Sequence, residues 1–171
     1  TGEIFRETHI VSPGPAYGKL RKREKKTPEG KWELVEHWAY DPEGRAIRRI
    51  LGNGDVLTFR REGGVYERFR NGELFSREVD LGGGRRKVTR WTPGVVFEEV
   101  YNGKRLLQQF GNGKLRQHHH YDGDGTLVWV KRVHPYLPED SRYRTVVEYF
   151  DGNRERVRML DRYGEPIEQE Q

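Results

Sequence analysis

Residues 111–130 read GNGKLRQHHHYDGDGTLVWV. His118, His119 and His120 are followed at once by Tyr121 and by two aspartates, Asp122 and Asp124. Such a stretch is either a metal site or a hairpin whose strand carries imidazoles. Its borders favour the hairpin. GNG at 111–113 and DGDG at 122–125 bracket KLRQHHHY, and LVWV follows. Asn, Asp and Gly tolerate the positive φ that tight hairpin turns require, and LVWV has the β-branched and aromatic content of a strand.

The same rhythm runs outward in both directions. Turn chemistry recurs at TPEG (27–30), DPEG (41–44), GNG (52–54), GG (63–64), NG (71–72), GGG (82–84), TPG (92–94), NG (102–103) and DGN (151–153). The interval is roughly ten residues, the spacing of serial hairpins. Between the turns lie VLTFRRE, VYERFR, RKVTRWT, VVFEEVY and YRTVVEYF, strands by content and length. Trp32, Leu34, Trp38 and Tyr40 alternate as a strand does, although Pro28 followed by EGKWELVEHW also suits a short helix. No interval leaves room for crossover helices. The expected fold is all-β, an antiparallel meander of about a dozen short strands in an extended repeat sheet, with a closed up-and-down barrel as the alternative. Residues 1–171 are expected to form a single hairpin-repeat domain, with 1–30 an irregular N-terminal arm. VSPGPAYG (11–18) and HPYLPEDS (134–141) each hold two prolines, which keeps them out of a central strand.

Composition restricts the interior. Hydrophobic residues make up 33% of the chain and charged residues 35%, where ordinary domains run about 45–50% apolar and about 25% charged. Aromatics at 12% argue against disorder, so a thin, partly wet core is expected. With no cysteine, disulfides, thiol nucleophiles and Cys-ligated metals are excluded. No apolar run approaches the roughly 18–20 residues of a membrane helix, and TGEIFRETHIV lacks a signal-peptide pattern. The net charge of +5 permits weak, nonspecific attraction to nucleic acid. KLRKREKK (19–26), the densest basic run, reads as a solvated strand or a loose arm. Arg outnumbers Lys, and with one Met and no Cys the composition fits a heat-adapted chain.

YDPEGRAI, FRNGELF, YNGKRLL, FGNGKLRQ, YDGDGTLV and YFDGNRERV share one order: an aromatic, Asp or Asn with Gly, a polar or basic residue, then an aliphatic one. Over residues 40–167 this resembles the β-hairpin repeats of the MORN-variant and YD-repeat families. Most units lack the extra strand glycine of MORN repeats, and the repeat length drifts. The resemblance implies a scaffold, a toxin-neutralising partner or a surface module, and no catalytic residue.

A register follows if the turns centre on Pro93-Gly94, Asn102-Gly103, Asn112-Gly113 and Gly123-Asp124, each a two-residue loop. His118 then faces Leu107 and Trp129, His119 lies between Leu106 and Val128, and His120 lies between Arg105 and Leu127. Alternation puts His118 and His120 on one face and His119 on the other, so the three cannot converge on one ion. The nearest acid in the row of His118 is Glu98, about 10 Å away across two strands. No metal site and no cofactor are expected. Asp122 and Asp124 begin a calcium-loop pattern that breaks at Thr126. GGGRRK and LGNGD lack the phosphate-loop spacing, and none of Ser12, Ser76 and Ser141 stands in a nucleophile elbow.

In that register one face gathers Arg105, Arg116, His118, His120 and Trp129, with Leu107 and Leu127 between them. Aromatic area with arginine is what energetic centres of interfaces use. These five residues are the expected binding patch of a non-enzymatic repeat protein that offers its sheet to a protein partner. The alternatives are a lipocalin-like barrel with a small ligand in its mouth and a platform for single-stranded nucleic acid. Homo-oligomers through the sheet edges are also expected.

Overall fold

The computed structural model describes residues 2–151 and 156–167, so that the DGN turn at 151–153 lies, past Asp151, outside the described residues. Within them the strands are β1 Phe5–His9, β2 Leu20–Lys26, β3 Trp32–Tyr40, β4 Ala46–Leu51, β5 Val56–Glu62, β6 Val65–Arg70 and β7 Glu73–Gly82. They continue as β8 Arg85–Thr92, β9 Val95–Asn102, β10 Arg105–Gly111, β11 Lys114–Tyr121, β12 Leu127–Val133, β13 Thr145–Phe150 and β14 Arg156–Leu160. All lie in chain order in one antiparallel sheet. The sheet is open, so the barrel alternative and its ligand-holding mouth are not formed.

Two local expectations are corrected. The expected N-terminal arm is not irregular throughout: β1 and β2 pair from Phe5↔Lys25 to His9↔Leu20, while the Pro-containing residues between them carry no ladder. The helix admitted after Pro28 is strand β3, because Trp32 to Tyr40 finds partners on both β2 and β4.

Two constructions recur among the described turns. In Asn71-Gly72 and Asn112-Gly113 both residues have positive φ, the mirror-image geometry that matches strand twist. The other construction spans five residues, at 27–31, 41–45, 51–55, 122–126 and 161–165. In each, the first N–H donates to the fifth carbonyl, and the N–H of the fourth residue, a glycine, donates back to the first carbonyl. That glycine is left-handed, which makes a type I turn closed by a glycine bulge. This construction holds one more residue than a two-residue loop.

Asn71 and Asn112 also latch the neighbouring hairpin. Asn112 N–H donates to the Val96 carbonyl at 2.8 Å while its side-chain Oδ1 accepts from Val96 N–H at 2.8 Å. Asn71 holds Val56 with the same pair of bonds. Asparagine therefore serves twice here, once for its tolerance of positive φ and once as an amide clamp.

Contacts divide the chain into two units, Thr1–Arg77 and Glu78–Gln171. In the first, buried carboxylates in mid-strand replace much of an apolar core. Glu24 accepts from Arg6 and Lys22, each at 2.8 Å, and Glu36 accepts from Arg49 at 2.7 Å and from the Trp38 indole N–H at 2.9 Å. The Arg6 and Lys22 bonds hold the Glu24 carboxyl at a pKa of about 2.

The second unit has a small apolar core of Val88, Val100, Val130 and Val146. Beside it, buried Glu99 accepts from the Tyr101 hydroxyl at 2.8 Å, from Gln109 at 3.1 Å and from Arg90. Burial pushes the Glu99 carboxyl up, but these bonds outweigh it and leave its pKa below the ordinary value. Glu148 accepts from Arg132 at 2.6 Å and Arg156 at 3.1 Å, and Asp161 accepts from Arg142 at 2.7 Å. A buried carboxylate is tolerable only with its lone pairs satisfied. Arginine stems, on neighbouring strands or, for Arg142, in the loop before β13, do this while covering apolar surface.

Candidate functional site

The three histidines lie on β11, between β10 and β12. The observed register is His118↔Gln108 and His118↔Lys131, His119↔Val130 and His120↔Trp129. It differs from the one counted from two-residue loops for three reasons. The β9–β10 loop is Gly103-Lys104, because Asn102 pairs with Arg105. Bulges insert Leu107 into β10 and Arg116 into β11. The DGDGT turn is the five-residue construction, and with a further irregularity at Tyr121 it moves β12 by two residues against β11.

The shift makes Trp129 the centre of the histidine cluster. Its indole stacks on His120 with ring centroids 5.1 Å apart and planes 16° from parallel. His118 approaches the same indole edge-on at 5.5 Å and 76°. The two imidazoles thus grip one indole instead of facing each other. Such ring pairs contribute roughly 0.5–1.5 kcal/mol beyond burial and restrict rotamers before any partner arrives. His119 takes another course, with its Nε2 3.1 Å from Gln117 Oε1. Burial, then Arg132 and His118, lower its pKa below the ordinary value.

Arg105 is exposed and crosses the neighbouring hairpin turn. Its guanidinium lies 5.8 Å from the Tyr121 ring centroid, with Nη2 3.5 Å from the Asp124 carbonyl. The guanidinium occupies the space above Gly125, where an added Cβ would fall 1.5 Å from Nη2. Gly125 has φ of 86°, so the turn geometry and the seat of Arg105 require glycine at the same position. Arg105, Gln108, His118, His120, Tyr121 and Asp122 line a shallow concavity of about 390 Å³. Leu107 lines it too, whereas Leu127 pairs with Tyr121 across the ladder.

Arg116 is not part of this cluster. As the extra residue of the β11 bulge, it turns to Tyr136, with its guanidinium carbon 4.9 Å from the ring centroid and Nη2 3.3 Å from the hydroxyl. It lines a second concavity with Phe97, Gln109, Arg132 and His134. The structure therefore brings together Arg105, His118, His120 and Trp129 from the expected patch and separates Arg116. Two contributors were not visible in the sequence pattern. Gly125 reads as an ordinary turn glycine, and Tyr136 falls in the proline-interrupted loop.

Among the described residues, no three of His, Asp and Glu lie close enough together to hold a metal ion. No described helix is long and apolar enough to cross a membrane. Compared with known proteins, the chain matches no family model and no curated sequence.

Proposed function

We propose that this chain is a non-enzymatic β-hairpin repeat protein that binds a protein partner through the surface carrying Arg105, His118, His120 and Trp129, in the manner of the MORN-variant and YD-repeat scaffolds and antitoxins it resembles. The observation that carries this reading is the grip of His118 and His120 on Trp129. An indole and an arginine already held in place lose little side-chain freedom on binding, and preorganised groups of these types dominate interface energetics. Next to them the concavity is polar and shallow, suited to receive a protruding side chain.

The test places a photoreactive cross-linker at His120 and, as a control, at exposed Lys114. Cross-linking in source lysate should yield one discrete partner from position 120 and none from 114. The reading fails if both positions label the same broad set of proteins. Arg105→Ala should abolish capture while lowering the melting temperature little, as surface substitutions usually do.

A further inference from the structure

The first unit carries an aromatic row that the proposed function does not use. Tyr40 and Trp38 on β3, Phe59 on β5 and Tyr66 on β6 follow one another with ring centroids 6.4, 6.2 and 6.4 Å apart and interplanar angles of 19°, 11° and 25°. All four rings are half-buried, so each keeps part of its surface in solvent.

Cations accompany the row along its length. Lys19 Nζ lies 5.6 Å from the Tyr40 centroid, the Arg49 guanidinium 4.8 Å from Trp38, and those of Arg61 and Arg68 4.4 and 5.0 Å from Tyr66. Arg49 is neutralised by buried Glu36. Among the described residues Lys19 and Arg61, both exposed and at opposite ends of the row, make no ion pair with a carboxylate. The charge of the unit agrees. Between Thr1 and Arg77 there are 16 Lys and Arg against 12 Asp and Glu, so this unit holds +4 of the chain's +5.

From this juxtaposition we infer that the Tyr40–Trp38–Phe59–Tyr66 row is a binding surface for single-stranded nucleic acid. A single strand alternates flat π faces with phosphates. Sequence-tolerant binders meet it with aromatic platforms and a cationic track. Guanidinium planes already lying on the rings serve both needs, since a base stacks on the guanidinium as well as on a ring while its N–H groups reach phosphate. An acidic peptide would use the cations and leave the rings idle. A duplex offers phosphates but keeps its base faces stacked internally.

The inference concerns the first unit and does not depend on the protein-partner reading of the second. The experiment measures fluorescence anisotropy of a short labelled single-stranded oligonucleotide on the full chain, between about 50 and 200 mM salt. The same sequence as a duplex and polyglutamate serve as competitors. Binding should persist at the higher salt, and both competitors should displace the strand poorly. Phe59→Leu should weaken binding about five-fold or more with the salt dependence unchanged, the signature of lost stacking. Arg61→Ala and Lys19→Ala should each weaken it and reduce the salt slope by about one. Arg105→Ala should leave it unaltered. The inference is overturned if polyglutamate or the duplex competes as well as the single strand, or if Phe59→Leu, folded by circular dichroism, binds like the parent. Should Phe59→Leu not fold, unchanged binding by Arg61→Ala and Lys19→Ala overturns it equally.

Discussion

The Trp129 indole and the His120 imidazole are cross-strand partners whose planes lie 16° from parallel at a centroid separation of 5.1 Å. The ring protons of His120 therefore sit over the indole face. Their NMR resonances should be displaced upfield by the indole ring current and return to ordinary positions in Trp129→Leu. Unshifted His120 resonances in the parent protein would contradict the observed register, and with it the composition of the patch.

Gly125 and Gly113 allow strain to be separated from displacement of Arg105. Both have positive φ, so alanine at either costs roughly 1–2 kcal/mol of left-handed strain. Only at Gly125 does the new methyl collide with a neighbour, the Arg105 guanidinium; at Gly113 it meets nothing within 4 Å. Gly125→Ala should lose partner capture and Gly113→Ala should retain it, at similar melting temperatures.

Much of the fold was legible in the sequence, since turn residues mark where each hairpin reverses. The register was not. Gly125 looks the same in a two-residue loop as in the five-residue turn it closes, yet that choice, together with the irregularity at Tyr121, moves Trp129 from His118 to His120 as the cross-strand partner. The bulges at Leu107 and Arg116 carry no glycine and so leave no mark in composition, and the second one takes Arg116 out of the patch. The buried glutamates were also hidden, because a charged residue in a strand reads as solvent-facing. Trp38 and Tyr101, each two residues after its glutamate and bonded to it, are the signal that reveals them.

The Asn112 clamp should be measurable by itself. Asn112→Gly keeps the tolerance for positive φ but removes the acceptor of Val96 N–H. A loss of about 1 kcal/mol is expected for one such bond, which at this chain length lowers the melting temperature by about 2–4 °C. An unchanged melting temperature would mean that water replaces the clamp without cost.

Acid should unfold the protein through its paired carboxylates. Arg6 and Lys22 hold Glu24 at about 2, and Arg70, Asn71 and Asn53 hold Asp55 at about 2. Both groups ionise more readily folded than unfolded. From the ordinary carboxylate range near 4 down to about 2 the unfolded chain therefore binds more protons, and stability falls as pH falls. Denaturant midpoints should decline within that window, less steeply for Glu24→Gln and for Asp55→Asn.

Partner binding through the Arg105 surface is tested most directly by titrating the cross-linked partner, once purified, against Arg105→Ala and Arg116→Ala side by side. Arg105 stands at the histidine–tryptophan cluster, and Arg116 stands with Tyr136 in a separate concavity. Arg105→Ala should weaken binding at least ten-fold, the about 1.4 kcal/mol expected of a central arginine, while Arg116→Ala stays within two-fold of the parent. Equal affinity for parent and Arg105→Ala, or a greater loss for Arg116→Ala, would contradict the proposed surface.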